Sequence, residues 1–268
     1  MAAFFFSFGF SIFSPILDKT QNTPYNKTIA LLGKFLFEVS FMSNPFLPLF
    51  HRNFREVGPL NICFFGDSIT QGSFEKDICD QLSVYHHRLG EMLKDLFPKM
   101  PLNIINAGRG GDTTTDALAR MERDVLCHHP DITDVYFGTN DVWDDDLSVF
   151  AKNMREIILR LQNSGSLVIL MTGTHMNKKV RPGLSPDHAE IAERMAVRQR
   201  NGQVAKVFDI TRNLAKEKNI SLVDLYAYYD ELEAQGVDTD TLLANGINHP
   251  TRSAHLEFAR KLCAILTQ

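Results

Sequence analysis

From Pro59 onward, apolar and polar positions follow two alternating patterns. Short apolar runs, typical of buried strands, lie at Asn61–Phe65, Leu102–Asn106, Asp134–Phe137, Leu167–Thr172 and Ser221–Leu225. Longer amphipathic stretches, typical of helices, lie at Ser83–Phe97, Thr113–Leu126, Leu147–Gln162, Pro186–Lys218 and Arg252–Leu266. Strands that alternate with helices of this length imply right-handed crossovers between parallel strands. The pattern predicts an α/β domain of three layers, α/β/α, with a parallel sheet of about five strands.

Residues 1 to about 56 show neither pattern, and twelve of the twenty phenylalanines fall there. The apolar run Met1–Leu17 resembles part of a signal sequence, but no Lys or Arg precedes it and Pro15 interrupts it. Two charged residues and two prolines interrupt Ile29–Phe50, which argues against a stable membrane span. We expect residues 1–56 to form a Phe-rich extension outside the core, and residues 57–268 to form the domain. A targeting segment is the second interpretation of residues 1–56, and a membrane anchor is the third.

Composition limits the partners. Hydrophobic content of 44% and charged content of 22% are ordinary for a soluble globular protein. A formal net charge of -4 gives no basic footprint, so we expect no nucleic-acid partner. The four cysteines are scattered without a C-x-x-C pair, and no His, Asp or Glu cluster has metal-site spacing. The compartment stays open, with the cytoplasm favoured and secretion the alternative, and so does the oligomeric state.

Polar clusters occur where the predicted strands end. Gly66-Asp67-Ser68 follows the first strand, Gly108–Thr113 the second, and Gly138-Thr139-Asn140-Asp141 the third, while Asn248-His249-Pro250 precedes the last helix. The carboxyl ends of parallel strands meet at one edge of the sheet, where open α/β sheets bind their ligands. We therefore expect the four clusters to converge on one site.

Taken together, these motifs resemble those of the SGNH (GDSL-like) hydrolase superfamily over about residues 60–266. The resemblance implies a flavodoxin-like fold and a carboxylic ester hydrolase that cleaves acyl or acetyl esters of small molecules without a cofactor or metal. It implies Ser68 as the nucleophile and His249 as the base. It also implies an oxyanion hole built from the backbone N–H groups of Ser68 and Gly111 and the Asn140 side chain, with Gly110 as the alternative glycine.

The residue chemistry agrees with those roles. A serine hydroxyl needs a base within hydrogen-bond reach, and the charge that develops on an attacked carbonyl needs N–H donors fixed in advance. Asp67 beside Ser68, and His175 after the fourth strand, are expected to contact the substrate. The structural alternatives are a helix cap for Ser68, a turn for Asn140 and loop packing for His249.

The pattern departs from the superfamily at the acid. Members usually carry an Asp three residues before the catalytic His, but this chain has Gly246 there and Asn245 one residue earlier. Asn245 is expected to accept the His249 Nδ1–H, and a backbone carbonyl, Asp238 or Asp240 are the substitutes. Two functions therefore stay open: a serine esterase of reduced activity, or a weakened SGNH-fold protein that binds an acyl or carbohydrate ligand.

Overall fold

A computed structural model describes residues 44–268. Its sheet has five strands in the order β2-β1-β3-β4-β5, and every pair of neighbours is parallel. The strands are β1 (Leu60–Gly66), β2 (Leu102–Gly108), β3 (Ile132–Tyr136), β4 (Leu167–Met171) and β5 (Ser221–Val223). This is the flavodoxin-like strand order, and with helices on both faces it confirms the predicted three-layer fold.

The described residues contain nine α-helices: α1 (Phe54–Val57), α2 (Ser68–Gln71), α3 (Tyr85–Leu96), α4 (Thr114–Asp124), α5 (Ser148–Asn163), α6 (Pro186–Arg200), α7 (Gln203–Lys218), α8 (Leu225–Ala234) and α9 (Arg252–Thr267). The single stretch predicted over Pro186–Lys218 is two helices. Gly202 breaks it, because its φ of +80° is a left-handed conformation that ends one helix and starts another. Helix α8, which the Asp224 side chain caps, was not predicted.

Alternation along β1 shows how the sheet separates two cores. Ile62 and Phe64 pack into one core with helices α3, α8 and α9. Cys63 and Phe65 pack into the other with helices α4 to α7. A strand that is apolar on both sides is the mark of a sheet covered on both faces. The polar strand ends are thereby left at the carboxyl edge, between the two helical layers.

The domain begins earlier than the sequence indicates. Phe46 and Phe50 are buried in the core that contains α3 and α9. The Phe50 ring stacks on Phe97 with centroids 4.5 Å apart, and the Asn44 side chain donates to the Ile265 carbonyl at 2.9 Å. The predicted boundary at residue 57 is therefore wrong, since residues 44–56 pack as part of the domain. The predictions for Met1–Leu17, and for the part of Ile29–Phe50 before residue 44, lie outside the described residues.

No helix within residues 44–268 combines the length and the hydrophobicity that a membrane crossing requires.

Truncating Phe50 tests this boundary. Phe50 is 3% exposed, so Phe50→Ala removes a buried ring, and we expect a loss of about 3–5 kcal/mol in the free energy of unfolding. Phe54→Ala is the matched control, because Phe54 is 37% exposed, and a change within about 0.5 kcal/mol is expected. Denaturant unfolding measures both values. If both variants lost equally little free energy of unfolding, residues 44–56 would be a peripheral extension and not part of the domain core.

Candidate active site

Ser68 stands at the carboxyl edge of the sheet because β1 turns directly into α2. The Asp67 side chain caps this short helix, with Oδ1 accepting the Ile69 N–H at 2.9 Å. Ser68 is the first residue of α2, so its own N–H has no partner within the helix. Gly108 lets α2 lie on the end of β2, since a Cβ there would come within 2.2 Å of the Gln71 backbone nitrogen.

His249 lies against Ser68, and its ring is held at both nitrogens. Nε2 is 3.0 Å from Ser68 Oγ, and Nδ1 is 3.0 Å from the Phe74 carbonyl oxygen. A carbonyl only accepts, so Nδ1 carries the ring proton and Nε2 of the neutral ring presents its lone pair to the hydroxyl. Burial lowers the pKa of His249, although the hydrogen bond to Phe74 acts in the opposite direction. The neutral form of the ring is thereby favoured near neutral pH.

Asn245 does not orient the His249 ring, and that expectation is wrong. Its Oδ1 accepts three backbone N–H groups, those of Ile247, Asn248 and His249, each at 2.9 Å. Its Nδ2 donates to Asn248 Oδ1 at 2.9 Å. An Asn that accepts from the N–H groups that follow it stabilises a turn. Asn245 therefore shapes the loop that carries His249, and the Phe74 carbonyl, not Asn245, accepts from the ring.

The other acid candidates lie elsewhere. Asp238 pairs with Lys179 Nζ at 2.7 Å, and Asp240 accepts the backbone N–H groups of Lys178 and Lys179. Gly246, at the usual spacing for the acid, has a φ of +72°, and a Cβ there would meet Arg181 Nε at 2.9 Å. A guanidinium thus fills the space that a side chain at position 246 would enter.

Three N–H donors at this edge have no hydrogen-bond acceptor within residues 44–268. The Gly110 N–H is engaged, because it donates to Gln71 Oε1 at 2.5 Å, whereas the Gly111 N–H donates to no group there. Asn140 Nδ2 uses one of its two hydrogens on the Asp112 carbonyl at 2.9 Å. The second Asn140 hydrogen, the Gly111 N–H and the Ser68 N–H remain. This favours Gly111 over Gly110 as an oxyanion donor.

A buried arginine, which sequence reasoning missed, joins the ends of β1 and β2. Arg120 is 4% exposed, and it donates to the Gly66 carbonyl at 2.9 Å and the Ala107 carbonyl at 2.8 Å. Its Nε pairs with the buried Asp112 carboxylate. It thus ties the strand before the serine to the loop before helix α4. The sequence did carry a signal for it, because Arg120 lies three residues after Ala117 and beside Met121, on the face of α4 that the spacing predicts to be buried.

Two predicted substrate contacts are instead structural, which corrects both expectations. Asp67 is fully buried as the cap of α2, and burial raises the pKa of its carboxyl to about 7, with the Ile69 N–H acting in the opposite direction. His175 is also buried, with Nδ1 2.9 Å from Glu233 Oε1 and Nε2 2.8 Å from Asp230 Oδ1. With both nitrogens occupied, His175 fixes the segment after β4 to helix α8 and leaves no atom for a substrate.

The chain is similar to known proteins both in sequence and in fold. The sequence profile of the GDSL-like Lipase/Acylhydrolase family matches residues 64–256. The chain belongs to this family. This membership agrees with the three-layer fold and with the motifs that resemble the SGNH superfamily.

One such relative, an acetylxylan esterase of Geobacillus stearothermophilus, is 26% identical over 184 residues, which is 63% of this chain and 74% of that protein. The crystal structure of Axe2, an acetylxylan esterase from the same organism, superimposes with a TM-score of 0.61 at 22% identity, over 78% of this chain and 94% of that chain. A two-domain esterase active on acetylated mannans gives a TM-score of 0.57 at 23% identity, over 78% of this GDSL-like chain and 48% of its own.

Within residues 44–268, no group of three or more His, Cys, Asp and Glu side chains is arranged to hold a metal ion.

Removing Arg120 tests its structural role. Arg120→Met leaves the Asp112 carboxylate without its buried partner, so we expect the free energy of unfolding to fall by about 3–5 kcal/mol. Arg123→Met is the control on the same helix, because the Arg123 side chain is 74% exposed and its pair with Asp124 contributes about 0–1 kcal/mol. Denaturant unfolding compares the two variants. Similar losses would show that the buried pair stabilises the fold no more than the exposed pair does.

Proposed function

We propose that this protein is a serine esterase that removes acetyl or other acyl groups through an acyl-enzyme on Ser68. The observation that carries the proposal is the 3.0 Å contact between Ser68 Oγ and His249 Nε2, on a ring whose tautomer suits a base. The relatives named above act on acetylated polysaccharides, so O-acetylated carbohydrates are the substrate class we propose first.

In this mechanism His249 Nε2 takes the Ser68 proton as Oγ bonds to the ester carbonyl carbon. Negative charge develops on the carbonyl oxygen, where the free N–H groups of Ser68, Gly111 and Asn140 would stabilise it. The imidazolium then returns its proton to the departing alcohol, which leaves Ser68 acylated. A water molecule, deprotonated by His249, attacks the acyl-enzyme and releases the carboxylic acid and the free serine.

The absence of an Asp beside His249 does not by itself favour a protein that binds its ligand without hydrolysing it. In a serine protease, replacing the Asp by Asn leaves the His in the wrong tautomer and lowers turnover about 10⁴-fold. An amide can donate as well as accept, whereas the Phe74 carbonyl accepts only, which keeps the proton on His249 Nδ1. The imidazolium still lacks a full negative charge beside it. We therefore expect turnover, at a rate lower than that of a complete triad.

Hydrolysis of p-nitrophenyl acetate and acetylated xylo-oligosaccharides by wild type and two variants tests the proposal. Ser68→Ala is expected to fall to the uncatalysed background, because it removes the nucleophile. Asn140→Ala is expected to lower kcat about 10²–10³-fold, or about 2.7–4 kcal/mol, as for the loss of one oxyanion donor. Mass spectrometry after a rapid quench should find one acetyl group on wild type and none on Ser68→Ala.

Ser148→Ala, an exposed serine at the start of α5, is the control and should behave like wild type. Full activity of Ser68→Ala would overturn the proposal. Binding of acetylated oligosaccharides without any Ser68-dependent turnover would instead support the alternative, a weakened family member that acts as a carbohydrate-binding protein.

A further inference from the structure

The acceptor for the His249 ring comes from a loop, residues 72–84, which joins α2 to α3 and is called the Phe74 loop below. Two backbone features hold it internally: the Phe74 N–H donates to the Ile78 carbonyl at 3.0 Å, and Ser73 and Cys79 form an isolated antiparallel bridge. Connecting loops are generally the more mobile parts of a fold. The position of the Phe74 carbonyl therefore depends on what ties this loop to the rest of the domain.

The Ser73 N–H ties the start of the loop to the Ser68 carbonyl at 2.9 Å. Arg252 makes a second connection, from the segment that carries His249. It is the first residue of α9, three positions after His249. Its Nη1 and Nη2 donate to the two Glu75 carboxylate oxygens at 2.7 and 3.1 Å, and its Nε donates to Asp80 Oδ2 at 2.9 Å. Its guanidinium also lies over the Phe74 ring, 4.5 Å from the centroid. One side chain thus contacts the residue whose carbonyl accepts from His249, the residue directly after it, and Asp80 further along the loop.

The helix itself does not explain this arginine. A cation at a helix N-terminus opposes the helix macrodipole, so position 252 is unfavourable for it unless a carboxylate is near. Both carboxylates that offset this effect belong to the Phe74 loop, and each responds to the guanidinium. The hydrogen bond from Arg252 lowers the pKa of Glu75. The Asp80 pKa falls to about 2, through Ser83 first and Arg252 second.

The Phe74 ring adds a second connection to the same helix. The ring is fully buried, and its centroid lies 4.7 Å from that of His255 on α9. The ring therefore anchors one end of the loop in the core, while the guanidinium closes over it from the solvent side. Its carbonyl is left at the surface of this packed unit, facing His249 Nδ1.

We propose that Arg252 is a positioning residue that holds the Phe74 carbonyl against His249. The inference rests on the proposed function, since it concerns the base of that reaction. A hydrogen bond weakens steeply with distance and angle, and a displacement of about 1 Å in a catalytic group lowers rates by as much as about 10²-fold. In a site with a side-chain acid the partner is fixed by its own rotamer. Here the Phe74 loop sets the position of the accepting carbonyl, and Arg252 is one of the groups that hold the loop in place.

Steady-state hydrolysis of p-nitrophenyl acetate by Arg252→Gln and Arg252→Lys tests this role. Arg252→Gln is expected to lower kcat about 10- to 100-fold. KM should stay within about twofold, because a residue that acts through His249 affects the chemical step. Arg252→Lys should recover part of the loss, since an ammonium keeps the charge without the bidentate geometry. Glu75→Gln should also lower kcat, and Glu75→Gln with Arg252→Gln should lose less than the product of the single losses.

Arg155→Gln is the control. Arg155 on α5 pairs with Glu217 on α7, and the side chains of this pair are about as exposed as those of Arg252 and Glu75. It should match wild type in kcat and KM. Unfolding midpoints and far-UV circular dichroism are measured for every variant. A loss of kcat that only follows a loss of folded protein would overturn the proposal.

The two proposals fail in different ways. If Ser68→Ala is inactive while Arg252→Gln keeps wild-type kcat, the positioning role is wrong and the esterase mechanism stands. If Ser68→Ala keeps full activity, the esterase mechanism itself is wrong, and the positioning role falls with it.

Discussion

The hydrogen bond between His249 Nδ1 and the Phe74 carbonyl is the interaction on which the candidate site depends. It places the ring proton on Nδ1, and that alone makes Nε2 an acceptor for the Ser68 hydroxyl at 3.0 Å. A carboxylate in the same place would also stabilise the imidazolium with a full charge, as in the Ser-His-Asp arrangement. The carbonyl supplies orientation and a partial charge, so in the proposed mechanism it acts as a weaker third member than a carboxylate would.

The fold brings these groups together through its strand order. The switch in strand order places β1 between β2 and β3, so the segments after these strands meet at one edge. Ser68, Gly111 and Asn140 each follow one of the three strands. Arg120 then joins the last carbonyls of β1 and β2 beneath them. The donors therefore follow three adjacent strands of the sheet, whereas the acceptor for His249 lies on a loop.

The sequence predicted the elements that a periodic pattern encodes, which are all five strands and the three-layer fold. The break at Gly202 and the burial of residues 44–56 were missed, because a helix pair and a Phe-rich packing segment have no distinctive period. The contact between Ser68 and His249 could be expected from motif order. The environments of Asn245 and His175 could not, since each depends on partners that only the folded chain brings near.

The side-chain pattern could not predict that Phe74 accepts from His249, because every residue has the same backbone carbonyl. A signal did exist at Arg252, where a cation opens a helix and therefore requires a nearby carboxylate. The sequence does not show that the carboxylates are those of Glu75 and Asp80, since more than 170 residues separate them from Arg252. Long-range pairing of this kind is determined by the fold and can be read only from the structure.

The most direct test of the central claim is the protonation state of the His249 ring. Ring ¹⁵N spectra of histidine-labelled protein, with His249 assigned from the His249→Gln variant, distinguish the two neutral tautomers. The account predicts a single neutral form near neutral pH, with the proton on Nδ1 and a bare Nε2 that accepts from Ser68. A proton on Nε2, or a mixture of both tautomers, would contradict it, because the Phe74 carbonyl would then not accept a hydrogen bond from Nδ1.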